Sequence, residues 1–349
     1  MRVGPWPEGD GMRNGARQTV LVAGGGGFLG SHLCDALLAD GAHVIALDSF
    51  LTGRRVNLEH LSREPRFDLI EADIIKPLPA ALKTAGLTRI FNLACAASPP
   101  AYQADPEHTM LTSVLGMHGL LKLAEKTGAR IFQASTSEVY GDPEVHPQKE
   151  TYWGHVNPTG PRACYDEGKR AAETLCFDFE RHGRAEVRVA RIFNTYGPRL
   201  PAEDGRVVSN VVNQALTGEP VTVYGDGSQT RSFCYVDDLI EGFLKLMAYD
   251  GPPIGPVNLG NPTELTINEL VARVMDMTGS RSDVIRMPLP KDDPQRRRPD
   301  ITLAAERLGW APKTTVEAGL KATIAWYAEE LKRAEPAPLK RAAGAGLSA

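Results

Sequence analysis

The sequence predicts an α/β fold, a doubly wound parallel sheet with a smaller C-terminal lobe. Three observations predict it. Short apolar runs alternate with helical stretches from residue 19 to residue 192, several of the runs end in small or polar residues, and the rhythm breaks after about residue 194. Strands alternating with helices build parallel sheets covered on both faces, and such sheets take ligands beyond the carboxyl ends of their strands.

The first run, TVLVA at 19–23, reads as a buried strand. It passes through four glycines into a helix with Leu33, Leu37 and Leu38 on one side. AHVIALD (42–48), FDLIEADI (67–74), RIFNLAC (89–95), ARIFQAS (129–135) and EVRVARI (186–192) repeat the strand theme. Residues 106–127 and 161–181 read as long helices between the later strands. Beyond residue 194, EPVTVYGDGSQTRSFCYVDDLIEGFLKLM gives a short strand, a turn, an extended piece and a helix. TINELVARVMDMTG reads as another helix, opened by Thr266 with Glu269 three residues later, a capping box. The expected organisation is a leader at 1–17, a dinucleotide-binding domain at 18–193 rejoined by segments of the C-terminal half, a substrate lobe at 194–330, and a tail at 331–349. The leader lacks the apolar core of a secretory signal, and the tail is rich in Ala, Pro and Gly.

Composition narrows the function. With 42% hydrophobic residues in 349, the chain has enough apolar material for one large core or two lobes. The net charge of −4 gives no basic footprint for nucleic acid. An anionic ligand must then be held by local arginines or helix N-termini. The five cysteines are scattered without a CxxC pair, which reads as reduced thiols in a cytoplasmic protein. The eight histidines show no HxH or HxxxH spacing, so no metal is expected. No apolar run is long enough to cross a bilayer.

Gly24, Gly27 and Gly30 form GxxGxxG between the first strand and its helix. Glycine lets the backbone turn tightly against a pyrophosphate, and the helix N-terminus supplies free N–H groups and a positive dipole end. Asp48 ends the next strand, as a dinucleotide site of Rossmann type requires. A carboxylate there accepts both ribose hydroxyls and repels a 2′-phosphate, so NAD is expected over NADP. Arg54 and Arg55 count the other way.

Tyr165 and Lys169 are the one Tyr-x-x-x-Lys match among nine tyrosines, on one face of a helix. A phenol with a pKa near 10 is a poor base at neutral pH. A neighbouring ammonium and an oxidised nicotinamide favour the phenolate, which then takes a hydroxyl proton as hydride leaves the same carbon. Upstream, QASTSEVYGD (133–142) carries three hydroxyls and a carboxylate off a strand end.

These motifs resemble the extended short-chain dehydrogenase/reductase family. CYDEGKRAAETL (164–175), ARIFNTYGPR (190–199), DGRVVSN (204–210), VYGDGSQTRSFCYV (223–236) and PQRRRPDI (294–301) narrow the resemblance to the UDP-glucuronate decarboxylases, over residues 19–327. The resemblance implies roles. Phe28 and Leu29 join the glycines at the cofactor; Ser49, Phe50, Thr52 and Gly53 wrap the adenosine; Asp73 and Ile74 bracket the adenine. Leu93, Ala94 and Ala96 lie under the nicotinamide ribose. Thr136 and Tyr165 hydrogen-bond the reacting oxygen, while Ser137, Glu138 and Arg297 face the leaving carboxylate or C5. Asn194 and Arg231 hold the diphosphate; Arg206, Val207 and Tyr224 line the uridine. The sequence departs from the family where LDSF lacks the usual Asn after Asp48 and where Ala96 interrupts its Cys-Pro-Ala-Ser segment.

The implied reaction converts UDP-glucuronate to UDP-xylose through a 4-keto intermediate, with NAD reduced and reoxidised in each turnover. The implied assembly is a homodimer joined through the helices at 106–127 and 161–181, with no nucleic-acid or membrane partner. Whether Glu138 or Arg297 manages the C5 proton stays open at this point. The alternatives are a UDP-sugar 4-epimerase, a 4,6-dehydratase, a decarboxylase that releases the 4-keto-pentose, and a non-catalytic NAD sensor.

Overall fold

A computed structural model describes residues 18–289 and 296–334. The expected leader, and the tail from residue 335 on, lie outside the described residues. Strands β1 (Thr19–Ala23), β2 (His43–Asp48), β3 (Phe67–Glu71), β4 (Leu87–Asn92), β5 (Arg130–Thr136) and β6 (Val187–Ile192) alternate with helices α1 (Phe28–Ala39), α2 (Pro99–Ala104), α3 (Pro106–Leu111), α4 (Met117–Thr127) and α5 (Ala163–Arg181). There follow β7 (Thr195–Tyr196), α6 (Val207–Thr217), β8 (Val221–Tyr224), β9 (Thr230–Ser232), β10 (Cys234–Tyr235) and α7 (Val236–Ala248). The chain then forms β11 (Val257–Leu259), β12 (Glu264–Thr266), α8 (Ile267–Thr278), β13 (Val284–Met287), β14 (Arg296–Arg297), α9 (Thr302–Leu308) and α10 (Val316–Ala334).

Seven strands form one parallel sheet in the order β3-β2-β1-β4-β5-β6-β11. The alternation of side chains along β1 divides the interior. Val20 and Val22 enter a core with α1 and α7, while Leu21 and Ala23 enter a second core with α4 and α5. Both faces are therefore covered, which is why the inner strands read as unbroken apolar runs. The order in which strands are added reverses between β1 and β4, so a crevice opens at the carboxyl ends of these parallel strands. One sheet edge is β3, half open to solvent; the other is β11, which comes from the C-terminal half.

The helix expected at 106–127 is interrupted. A π turn, Thr112–Gly116, stands between α3 and α4. A side chain on Gly116 would come within 2.4 Å of the Ile74 side chain, so the π turn sits where the backbone lies flat on the segment after β3. The capping box at Thr266 and Glu269 is present, with both reciprocal hydrogen bonds formed. α6, α8 and α10 enclose a third, smaller core. Beside it, β9 pairs antiparallel with β12 and parallel with β14. No described helix is long and apolar enough to cross a membrane.

The entry of α1 against β1 tolerates no side chain. A Cβ at Gly30 would lie 2.0 Å from the Gly24 carbonyl oxygen, so Gly30→Ala must push the helix off the turn. Overpacking of this kind costs about 1–3 kcal/mol. Thermal unfolding of Gly30→Ala is expected to show a lowered midpoint; an unchanged one would mean that α1 shifts freely on the sheet.

Candidate active site

Beyond the carboxyl ends of β1, β4, β5 and β6 lies a cavity of about 510 Å³. At one end the glycine turn forms its wall. Gly24 has φ +83, and a Cβ there would meet the Leu93 carbonyl carbon at 2.7 Å. Gly27 caps α1 with no side chain, and no acidic residue stands in the first helical turn. The first-turn N–H groups, next to Gly27, Phe28, Leu29 and Gly30 on the cavity wall, keep their capacity for an anion. This cradle fits a dinucleotide pyrophosphate, because a Cβ at Gly24 or Gly30 would collide with the backbone.

Asp48 stands behind the turn. Its Oδ2 accepts the Gly26 N–H at 2.8 Å and its Oδ1 accepts the Phe50 N–H at 2.7 Å. Burial raises the pKa of this carboxyl, against those two backbone donors. Phe50 adopts φ +56, and its ring covers Gly26, where a Cβ would lie 2.7 Å from the ring edge. A Cβ on Gly53 would strike the Asp48 carboxylate at 2.8 Å. The segment from Ser49 to Gly53 thus folds over Asp48, and Thr52 alone of it lines the cavity.

Two residues expected at the adenine are engaged elsewhere. The Asp73 carboxylate pairs with His108 Nε2 at 2.9 Å and accepts the Ile75 N–H at 3.0 Å, which leave it few free lone pairs. The Ile74 side chain is buried in the core beneath α4. Leu93 lines the cavity; Ala94 packs at the margin of that core, and Ala96 packs with Tyr102 and Tyr165.

At the tip of β5, Thr136 Oγ1 accepts the Glu138 N–H at 3.2 Å, which leaves its own proton for another oxygen. That hydroxyl also hydrogen-bonds the Tyr165 phenol. The phenol stacks on Tyr102 with ring centroids 5.1 Å apart and 8° between planes. Lys169 Nζ donates to the Ala134 carbonyl at 2.9 Å and stands 5.7 Å from the Tyr165 ring centre. Burial raises the phenol's pKa above its ordinary value, and the charge of Arg206 and the Thr136 hydrogen bond oppose the rise. Proton release from Tyr165 therefore needs more positive charge than the protein alone supplies. Ser135, also on the cavity wall, donates to Glu173 on α5 at 2.5 Å and so tethers the end of β5 to that helix.

Glu138 sits between two guanidiniums. Arg162 Nη2 donates to its Oε2 at 2.7 Å, and Arg297 grips both oxygens, with Nη2 to Oε2 at 3.0 Å. Burial pushes the Glu138 carboxyl upward, yet the two arginines outweigh it and hold the group well below the usual carboxylate range. Ser137 lines the cavity beside it. Asp166, on the same helical turn as Tyr165, has the opposite fate. Burial and the Glu138 charge raise its carboxyl from 3.8 to about 7, and its Oδ1 has no partner.

The remaining expected residues also line the cavity: Asn194, Arg206, Val207, Tyr224, Arg231 and Arg297. Arg206 bonds the Ala97 carbonyl at 3.0 Å and so ties the start of α6 to the loop after β4. Arg231 and Arg297 are strand neighbours across β9 and β14. Sequence reading missed Arg162, Asp166 and Tyr102. Arg162 did leave a signal, since a cation at a helix N-terminus opposes the dipole and implies a carboxylate elsewhere to hold it.

The Asp166 shift has a definite sign. The folded chain keeps this proton up to about pH 7 and the unfolded chain releases it near 3.8, so the group's stabilisation is full below 3.8 and declines as pH rises to about 7. The decline is about 1.4 kcal/mol per pH unit. Asp166→Asn is expected to gain melting temperature on the wild type across that interval and then to run parallel to it. A difference independent of pH would contradict this account.

A model of the NAD dependent epimerase/dehydratase family matches residues 20–260. UDP-glucuronic acid decarboxylase 1 of Danio rerio is 52% identical to the chain over 316 residues, which cover 90% of this chain and 74% of that protein. Among solved structures, UDP-glucose 4-epimerase of Thermotoga maritima, with UDP-glucose, superposes with a TM-score of 0.82 at 29% identity, covering 90% of this chain and 100% of that one. UDP-glucuronic acid 4-epimerase of Bacillus cereus, with UDP-glucuronic acid and NAD, superposes with a TM-score of 0.80 at 25% identity and the same coverage. The chain thus belongs to the NAD dependent epimerase/dehydratase family, and its sequence relatives include the UDP-glucuronic acid decarboxylases.

Proposed function

We propose that this protein converts UDP-glucuronate to UDP-xylose, with carbon dioxide as the second product. The observation that carries the reading is the Arg162–Glu138–Arg297 cluster beside the Thr136–Tyr165 hydroxyl pair in one cavity. One group handles a secondary alcohol; the other is built for a second carboxylate. NAD, held at the glycine cradle, supplies the acceptor for the C4 hydrogen and the donor that returns it.

Tyr165 takes the proton from the C4 hydroxyl, and Thr136 donates to the same oxygen. Lys169, fixed on the Ala134 carbonyl, adds positive charge beneath the phenol. With C4 a carbonyl, the C5 carboxylate is β to it, and loss of CO2 leaves an enolate at O4. The Tyr165 and Thr136 hydroxyls donate to that oxygen as its charge develops. Arg162 and Arg297 hold the substrate carboxylate against Glu138, whose own negative charge favours its departure. Held ionised, Glu138 is a poor proton donor, so its part at C5 is to orient a water that delivers the proton. Ser137 completes the wall on this side.

Arg231 and Asn194 bind the diphosphate; Arg206, Val207 and Tyr224 border the uridine. The glycine cradle with Phe28, Leu29, Asp48, Ser49, Phe50, Thr52, Gly53 and Leu93 holds NAD, and Ala94 and Ala96 support it from behind. Asp73 and Ile74 meet the adenine through the Asp73–Ile74 backbone, since their side chains are committed. The same reading takes two subunits joined through α3, α4 and α5, where Leu115 is exposed, and a reducing cytoplasm, which suits five free cysteines.

Incubated with UDP-glucuronate and NAD, the protein is expected to release CO2 and a nucleotide pentose, read by mass spectrometry. A product of unchanged mass would instead mean 4-epimerisation. Tyr165→Phe is expected to lower kcat by about 10²–10⁴-fold while the Kd for NAD stays within a few-fold, because only the proton transfer is removed. Asp48→Asn is expected to weaken NAD binding and narrow the preference over NADP, measured by titration with each; retained discrimination would place the selectivity elsewhere.

A further inference from the structure

Arg297 reaches Glu138 from a strand of only two residues. What fixes the chain just beyond it is one enclosed side chain, Gln148, which has no solvent exposure. Gln148 Oε1 accepts the Arg298 N–H at 2.8 Å, and the Gln148 N–H donates to the Arg298 carbonyl at 2.9 Å. The Gln148 carbonyl accepts the Asp300 N–H at 2.9 Å. Its Nε2 donates to the Val145 carbonyl at 2.7 Å, which obliges the amide to turn its oxygen toward Arg298.

A second enclosed amide braces this arrangement. Asn258, on β11, donates through Nδ2 to the carbonyls of Gln148 and Asp300, both at 3.0 Å. Its Oδ1 accepts the Tyr140 hydroxyl at 2.7 Å. Tyr140 closes the short turn Ser137–Tyr140 that carries Glu138. One buried network therefore touches both partners of the ion pair, Glu138 through Tyr140 and Arg297 through Arg298, while β9 holds Arg297 from the other side, with the Ser232 hydroxyl donating to its carbonyl at 3.2 Å. None of Tyr140, Gln148 or Asn258 lines the cavity.

We propose that Gln148 is a positioning residue for Arg297, and that the Gln148–Asn258–Tyr140 network sets the Arg297–Glu138 geometry on which loss of the substrate carboxylate depends. The inference rests on the function proposed above. Oxidation at C4 draws on Thr136, Tyr165 and Lys169: Lys169 is held on the Ala134 carbonyl, Thr136 ends β5 beside the Tyr165 phenol, and Thr136 meets the Glu138 turn only through the Glu138 backbone N–H. The network thus divides the reaction: it governs the second step and spares the first. Gln148 is the informative position because Tyr140 also accepts a hydrogen bond from Arg191, which pairs with Glu173 on α5.

The experiment follows CO2, the 4-keto hexuronate and reduced NAD together, in wild-type protein and in Gln148→Ala, supplied with UDP-glucuronate and NAD. Misplacing a reacting group by an ångström can cost about 10²-fold, so CO2 released per oxidation is expected to fall by about tenfold or more in Q148A. The 4-keto hexuronate and reduced NAD accumulate, and KM for UDP-glucuronate stays within about threefold. Gln148→Met keeps the volume and removes both side-chain hydrogen bonds, so it reads the same ratio if Q148A does not fold. Gln148→Glu keeps an acceptor for the Arg298 N–H and is expected to restore much of the ratio. A wild type that oxidises UDP-glucuronate without releasing CO2 overturns the proposed function itself. A decarboxylating wild type beside variants in which oxidation and CO2 release fall equally, or not at all, overturns the positioning role alone.

Discussion

A carboxylate taken out of water must be met by opposite charge, and Glu138 is met twice. An isolated buried charge costs several kcal/mol even after the protein relaxes. The two guanidiniums come from 24 and 159 residues away, one from the start of α5 and one from β14, the short strand before the last two helices. Removing one partner from such a pair typically costs about 3–5 kcal/mol, since the other charge stays behind. This single requirement brings the end of β5, the start of α5 and the C-terminal half around one cavity. The three apolar cores hold the layers together, but they do not specify that meeting point.

The same charges order their neighbours. Burial first, and then the ionised Glu138, disfavour a second carboxylate nearby, and Asp166 keeps its proton to about pH 7. Below that pH two arginines then face a single negative charge, so the region leans positive and complements an anionic sugar. Burial chiefly holds the proton on the Tyr165 phenol, and the Glu138 charge adds to that hold. Lys169 donates to the Ala134 carbonyl and stands 5.7 Å from the ring centre.

The two ends of the cavity are built from different materials. The cofactor end is backbone: glycines at forced conformations, a helix N-terminus, and a carboxylate anchored by two N–H groups. The substrate end is side chains, among them the charged Glu138, Arg162, Lys169, Arg206, Arg231 and Arg297, drawn from segments between residues 138 and 297. Backbone recognition suits a pyrophosphate common to many enzymes. Side-chain recognition suits the part of the ligand that differs among them.

The sequence by itself determined the parallel sheet, because unbroken apolar runs separated by helices have few other ways to bury both faces. It also determined the glycine cradle and the pairing of Tyr165 with Lys169, since both depend on spacings within a few residues. Thr136, Glu138 and Arg297 were legible only through their resemblance to a family. Only the tertiary structure decided that Arg162 joins Arg297 on Glu138, that Asp73 is taken by His108, and that Gln148 and Asn258 hold the segment carrying Arg297. Local periodicity carries no record of these contacts. Hydrogen bonds and ion pairs between residues 24 to 159 positions apart follow from where the layers put them, and chain order does not contain that distance.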